Sequence, residues 1–134
     1  MHSNLLVTLT TLGIFAIDQL IKRFVILSKG VFLSNPGIAF SLPFPRMLLI
    51  VLSLGIIGLS LRWWLKKERR PLFLAFGFGL FLGGALGNLF DRIFREGVVD
   101  YINIGTSSFN VADGAIILGI LLLLFSHYRL AKNM

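Results

Sequence analysis

Leu72-Phe-Leu-Ala-Phe-Gly77-Phe-Gly79-Leu-Phe-Leu-Gly83-Gly84-Ala-Leu-Gly87-Asn88-Leu-Phe90 carries no charge, and its one polar side chain is Asn88. A run of this length is close to the ~20 residues that cross a hydrocarbon core of about 30 Å as a helix. Gly79, Gly83 and Gly87 recur every fourth residue, with Gly77 and Gly84 beside them. Such a tandem G-x-x-x-G face lets a second helix approach closely, and close packing alone accounts for it. The stripe leads directly into Asn88, Asp91 and Arg92, which share a helical face at spacings of three and four. Tight packing therefore delivers polar groups to one defined place.

Three further apolar segments accompany this one: about Leu5 to Leu27, Met47 to Leu65, and Val111 to Tyr128. None shows a polar face along most of its length, which fits spanning helices better than interfacial ones. The whole chain agrees. Its 134 residues are 56% hydrophobic and only 14% charged, against about 25% charged in ordinary soluble domains. Mean hydropathy is +0.86. The expectation is one all-α integral membrane domain over residues 1–134, with helices at about 5–27, 47–65, 72–90 and 111–128. The first segment lacks a charged leader and an A-x-A-like cleavage site, so it reads as a retained helix rather than a signal peptide.

Composition also narrows the chemistry. There is no Cys, which removes disulfides, thiolate metal sites and cysteine nucleophiles. The two histidines, His2 and His127, lie near opposite ends of the chain, which argues against a histidine-centred or zinc site. No metal or cofactor is expected. The net charge of +7 is concentrated beside the apolar runs, so it reads as membrane orientation and not as nucleic-acid binding. Arg62-Trp-Trp-Leu-Lys66-Lys67-Glu68-Arg69-Arg70 makes the second connection strongly basic, and Arg129 and Lys132 follow the fourth segment. The positive-inside rule then places this connection and both termini in the cytoplasm, with the Ser28–Pro45 and Arg95–Ser108 connections outside.

On that topology Asp18, Asp91, Asp100 and Asp113 all fall at the outward side. Ionisable groups at membrane depth are costly and call for a partner or a function. Asp18 and Lys22 are four apart and can neutralise each other. Asp100, between Val99 and Tyr101, is in surroundings that raise a carboxyl pKa, or else it partners Arg92 or Arg95. Asn110 is a good N-cap for the fourth helix, with Asp113 at the third helical position in a capping-box-like arrangement. The combination carries more than its parts. Asp100 and Asp113 flank one short connection, and two close carboxylates share a proton. One can then activate a water while the other hydrogen-bonds or protonates a carbonyl oxygen. A Ser–Lys pair such as Ser41 with Lys22 is the rival nucleophile, unsupported by spacing.

Asp18-Gln19 with Lys22, Asn35-Pro-Gly-Ile-Ala39-Phe40-Ser41, Gly83-Gly-Ala-Leu-Gly87-Asn88-Leu-Phe-Asp91-Arg92, Gly97-Val-Val-Asp100-Tyr-Ile and Phe109-Asn110-Val-Ala-Asp113 together resemble lipoprotein signal peptidase (signal peptidase II), the bacterial aspartic peptidase of prolipoproteins. Each piece alone is weak; five in the family's order are specific. The resemblance implies that Asp100 and Asp113 are the catalytic dyad. It implies that Asn35, Asn88, Arg92 and Asn110 line the site and place the substrate, and that Asp18, Lys22 and Asp91 support it. The implied substrate is a membrane-embedded prolipoprotein, cut on the amino side of its diacylglyceryl cysteine. The implied setting is the bacterial cytoplasmic membrane with the site facing outward. The resemblance further implies membrane lipid as surroundings, a globomycin-type inhibitor as ligand, no cofactor and a monomer. The chain departs from the family in its short outward connections, which leave room for at most a reduced β-cradle, and in Ser107-Ser108 where the family often has Trp-Pro.

Two other classes compete. A proton-coupled four-helix transporter would place a functional acid near the bilayer midplane, accessible from both sides. A non-catalytic relative would hold lipopeptides without cutting them.

Overall fold

The computed structural model describes residues 2–37 and 44–132. Ile38, Ala39, Phe40 and Ser41 of the second motif lie outside the described residues, and with them the Ser41 half of the Ser–Lys rival. Four long helices, α1 (His2–Leu27), α2 (Arg46–Lys66), α3 (Leu72–Phe94) and α4 (Val111–Lys132), are joined at one end by short strands: β1 (Leu33–Asn35), β2 (Val98–Asp100), β3 (Ile102–Ile104) and β4 (Ser107–Phe109). All four helices are long and apolar enough to span a bilayer.

Helix α3 is the axis of the bundle. It packs chiefly on α1 and α4 and only lightly on α2. Its glycines divide the work. A Cβ on Gly79 or Gly83 would lie 2.6 Å from Thr10 Cβ or 2.7 Å from Ile14 Cβ on α1. A Cβ on Gly77 or Gly84 would instead meet α4, at 2.8 Å from Leu122 Cβ and 2.4 Å from the Ala112 carbonyl oxygen. Gly119 of α4 returns the contact against the Gly77 carbonyl. The one stripe visible in the sequence is thus two seams, one for each neighbour. Helix α2 buries Leu49, Ile57 and Trp64 along its length, and Trp64 stacks on Phe78 with centroids 4.9 Å apart.

The sequence reading ends the third helix near Phe90, whereas α3 runs on to Phe94. Hydropathy falls at Asp91, but the Asp91 carboxylate is neutralised inside the protein, so the helix continues. It ends where Glu96 adopts a positive φ of 64°. Arg46, at the start of α2, donates from Nε to the Arg92 carbonyl at 2.8 Å and from Nη2 to the Ile93 carbonyl at 3.3 Å. These bonds satisfy carbonyls that a helix end leaves open. The strands form two antiparallel pairs. β1 sets Leu33 opposite Asp100 and Asn35 opposite Val98. β3 and β4 form a hairpin that turns at Gly105, where φ is +59°. These two pairs are the reduced β-cradle that the short connections allow.

Candidate active site

The site is built where α1, α3 and α4 meet the strands. The start of α4 fixes it. A helix begins with N–H groups that have no intrahelical acceptor, and here each finds one. Val111 N–H donates to the Tyr101 hydroxyl at 3.2 Å, Ala112 N–H to Asp18 Oδ1 at 3.1 Å, and Asp113 N–H to Asn110 Oδ1 at 2.9 Å. Gly114 N–H closes the first turn on the Asn110 carbonyl at 3.3 Å. Asn110 N–H donates in return to Asp113 Oδ2 at 3.1 Å. The capping box read from the sequence is therefore present, and its acid is one of the two candidate catalytic groups.

Asn110 also reaches the other one. Its Nδ2 donates to Asp100 Oδ1 at 2.7 Å and to Asn88 Oδ1 at 3.2 Å. One buried residue thus holds Asp113 through its backbone and Asp100 through its side chain. Each carboxylate has a second amide donor. Asn88 Nδ2 donates to Asp113 Oδ1 at 2.8 Å, and Asn35 Nδ2 to Asp100 Oδ2 at 3.3 Å. Asn35 reaches this position because β1 pairs with β2, the strand that carries Asp100. The partners of Asp100 are these asparagines; Arg95 pairs with Asp91 instead. Asp100 is 3% exposed. Burial pushes its carboxyl up to about 6, the negative charge of Asp113 adds to the rise, and the amide donors of Asn110 and Asn35 oppose it.

Behind this pair lies a charged cluster closed to solvent. Lys22 Nζ is 2.8 Å from Asp18 Oδ2 and 2.8 Å from Asp91 Oδ2, and all three side chains are fully buried. It also donates to Asn88 Oδ1 at 3.2 Å. Lysine is a donor only, so this bond turns the Asn88 carbonyl oxygen inward and its NH2 toward Asp113. Asp91 Oδ2 additionally accepts from Val99 N–H at 3.1 Å, which ties β2 to α3. Asp91 Oδ1 takes Arg95 and Gln19. Room for Asp18 exists because residue 87 is glycine, whose Cβ would lie 2.6 Å from Asp18 Oδ2. The ion pair expected between Asp18 and Lys22 is present, with Asp91 as a third member.

A cavity of about 220 Å³ opens beside the two aspartates, lined by Asn35, Asn88, Arg92, Asp100 and Asp113 on its polar side. Val98, Phe109, Ile116 and Ile117 form its apolar side, with Ser108 at the rim between. Arg92 lines this cavity with a buried Nε that has no hydrogen-bond partner. The residues singled out in the sequence thus divide into two groups. Asn35, Asn88, Arg92, Asp100 and Asp113 share the cavity, with Asn110 bridging the carboxylates from behind. Asp18, Lys22 and Asp91 stand beneath it. Gln19 and Tyr101 are residues to which sequence reasoning gave no role, and Arg95, weighed there as a partner of Asp100, pairs with Asp91. Gln19 stands next to Asp18, and Arg95 stands four on from Asp91, which are signals that could have found them. Among the described residues, no three His, Asp or Glu side chains are grouped to hold a metal ion.

Comparisons with known proteins converge on one family. Residues 10–129 match the family described as signal peptidase (SPase) II. The lipoprotein signal peptidase of Chlorobaculum parvum is 35% identical over 91% of this chain and 94% of its own length. That of Xylella fastidiosa is 34% identical over 88% and 86%. A solved bacterial membrane enzyme, determined in meso at 2.3 Å, superimposes with a TM-score of 0.83 over 95% of this chain and 90% of its own, at 21% identity. The chain belongs to the signal peptidase II family of peptidases.

Proposed function

We propose that this peptidase removes the signal peptide from diacylglyceryl-modified prolipoproteins, cutting on the amino side of the lipidated cysteine, with Asp100 and Asp113 as the catalytic pair. The observation that carries the proposal is the double role of Asn110, which fixes both carboxylates at one cavity. Asp100, the more buried, its carboxyl pushed up by that burial, holds the proton the pair shares. Asp113, partly buried on α4 and anchored by two N–H donors, acts as the base. A water between them loses its proton to Asp113 as it attacks the scissile carbonyl, while Asp100 donates to the carbonyl oxygen. Collapse of the tetrahedral intermediate returns a proton to the leaving amine, and no covalent enzyme intermediate forms.

Arg92 and Asn35 place the peptide backbone, and the orphan Arg92 Nε is a donor awaiting a carbonyl oxygen. Ile117, 57% exposed on α4, lies on the cavity wall that meets the lipid, so a signal helix enters from the side with its acyl chains still in the bilayer. The acids gather at one end of the bundle, which favours a surface-facing hydrolase over a midplane proton carrier. With the basic α2–α3 connection inside by the positive-inside rule, the dyad faces outward from the bacterial cytoplasmic membrane. A globomycin-type peptide would compete for the same cavity, and the monomer is the functional unit.

The test is incubation of the purified protein in detergent with a diacylglyceryl prolipoprotein and with the same chain unlipidated. Loss of the signal-peptide mass from the lipidated substrate alone is expected. Asp100→Asn and Asp113→Asn abolish it while helix content is retained. Turnover by either purified variant overturns the dyad.

A further inference from the structure

The opposite end of the bundle holds a second polar cavity that the peptidase reaction does not use. Helix α3 rises ~1.5 Å per residue, which puts Pro71 about 25 Å from Asn88. The cavity here is about 540 Å³, and Ser3, Asn4, Lys66, Lys67, Glu68 and Arg70 line it, with Leu65 at its side. We propose that it binds the phosphodiester headgroup of an anionic membrane phospholipid.

The argument is one of donors. Asn4 Oδ1 accepts from Trp64 Nε1 at 3.1 Å and from Arg70 Nη1 at 3.0 Å. With its oxygen so engaged, the Asn4 amide is locked, and its NH2 has no partner among the described residues. Arg70 is a strut: its Nε donates to the Lys67 carbonyl at 2.7 Å and its Nη2 to the Leu65 carbonyl at 2.8 Å. Ser3 Oγ donates to the Arg70 carbonyl at 2.6 Å and joins α1 to the frame. Against this fixed frame stand the Lys66 and Lys67 ammonium groups, neither of them in an ion pair among the described residues. Lys67 lies 5.0 Å from the Trp63 ring and Arg70 5.3 Å from the Trp64 ring. The lining residues thus bring an amide NH2 and two lysines outside any ion pair among the described residues, beside the positive charge of the engaged Arg70 guanidinium, with Glu68 as the one carboxylate. That set suits an anion rich in acceptor oxygens. Leu5, Leu65 and Leu72 are exposed around it, at 58%, 71% and 57%, at the ends of apolar spans. A ligand with acyl chains satisfies both surfaces at once, and a free phosphate satisfies one.

The protein carries its own reporter, because its two tryptophans, Trp63 and Trp64, both stand at this site. The full chain is placed in phosphatidylcholine nanodiscs containing increasing amounts of acyl-brominated phosphatidylglycerol or, in parallel, acyl-brominated phosphatidylcholine. Tryptophan quenching is expected to saturate with the anionic lipid and to show a preference of about 10-fold or more over the zwitterionic one, each basic residue contributing roughly 5-fold. The double variant Lys66→Gln/Lys67→Gln should bring that preference close to one while signal-peptide cleavage is unchanged. Equal quenching by the two lipids overturns the proposal, as does a preference that survives in the double variant. Reversal of quenching by ~10 mM inorganic phosphate also overturns it, by assigning the site to a free anion.

Discussion

Helices α2 and α3 are nearly equal in mean hydropathy, 2.0 and 1.8, yet 67% of the α3 span is buried within the protein against 17% of α2. Both contain spaced glycines. Gly55 and Gly58 of α2 have nothing within 4 Å of where a Cβ would stand, whereas those of α3 stand closer than 3 Å to a neighbour. Hydropathy therefore decides that a helix crosses the bilayer, and small residues backed by neighbours decide which helix becomes the axis. In lipid, apolar surface gains little by leaving one greasy contact for another, so close packing and polar bonds sort the helices. The axis then carries the chemistry. Gly84 lets α4 descend until Asn110 and Asp113 reach Asn88, and Gly87 makes room for Asp18 to accept the Ala112 N–H.

The largest effect should follow from breaking the seam beside the two proposed catalytic aspartates. Gly84→Ala would set a methyl 2.4 Å from the Ala112 carbonyl oxygen, a backbone atom that cannot turn aside. Helix α4 must then shift, taking Asp113 with it. A displacement near 1 Å at reacting groups costs about 10²-fold in rate, so cleavage should fall at least that far while the protein remains membrane-inserted. The measurement is the cleavage rate beside circular dichroism. Wild-type turnover in this variant would show that the seam does not position the proposed catalytic pair.

Next comes the charged floor of the site. Lys22→Met leaves Asp18 buried without its cation and Asp91 with Arg95 alone. Breaking such a pair costs about 3–5 kcal/mol, and the Asn88 amide loses the donor that orients it. Thermal unfolding in detergent should drop sharply, with activity lost at temperatures where the protein is still folded. Glu96→Gln removes the exposed partner of Arg46, an ion pair of 3.5 Å at 84% exposure. Exposed pairs add little, so no measurable change is expected. Equal sensitivity at the two sites would break the contrast between the axis and the periphery.

Asp100 sharpens the same contrast through pH. Its folded-state pKa of about 6 lies above the ordinary 3.8, so the folded protein favours the protonated form. The stability this confers is complete below about pH 4 and is lost as pH rises through about 6. Asp100→Asn removes the dependence. It should make the protein more stable than wild type above pH 6, on the order of 1–3 kcal/mol for a displacement of about two units, and no more stable below pH 4. Thermal unfolding at pH 4 and pH 7.5 checks this. For catalysis, Asn35→Ala removes a donor that favours the carboxylate form. The alkaline limb of kcat/KM should then move to higher pH.

How far the sequence could be read follows from the range of each interaction. The spans are legible because bilayer thickness imposes their length, and the Asn110–Asp113 box because it is local. The Asp18–Lys22 pair is legible because helical spacing brings it together. Spacing does not show that Asp91 joins that pair, since it does so across the α1–α3 seam; only the family resemblance groups the three. The division of the glycines between α1 and α4 is hidden for the same reason. The hold of Asn35 on Asp100 depends on the β1–β2 pairing between distant strands. Tyr101 as acceptor for the first N–H of α4 depends on the path of the hairpin. Asp100 and Asp113 stand out as residues, but the side chain that links them does so only in three dimensions.

A small predicted effect tests the quiet half of the comparison. Gly55→Ala and Gly58→Ala place methyls in open space. Alanine restricts the backbone where glycine does not, so each should leave the helix unchanged or more stable by up to about 1 kcal/mol, with cleavage unaffected. If either variant loses stability or activity, the glycine face of α2 is packed against something outside this chain. The exposure of Leu52, Leu54 and Leu59 at 47%, 53% and 70% would then mark an interface and not a lipid-facing surface. Sedimentation of the two variants beside wild type separates these cases, because a self-association driven through this face would weaken with the added methyls while a purely lipid-facing helix would leave the mass unchanged.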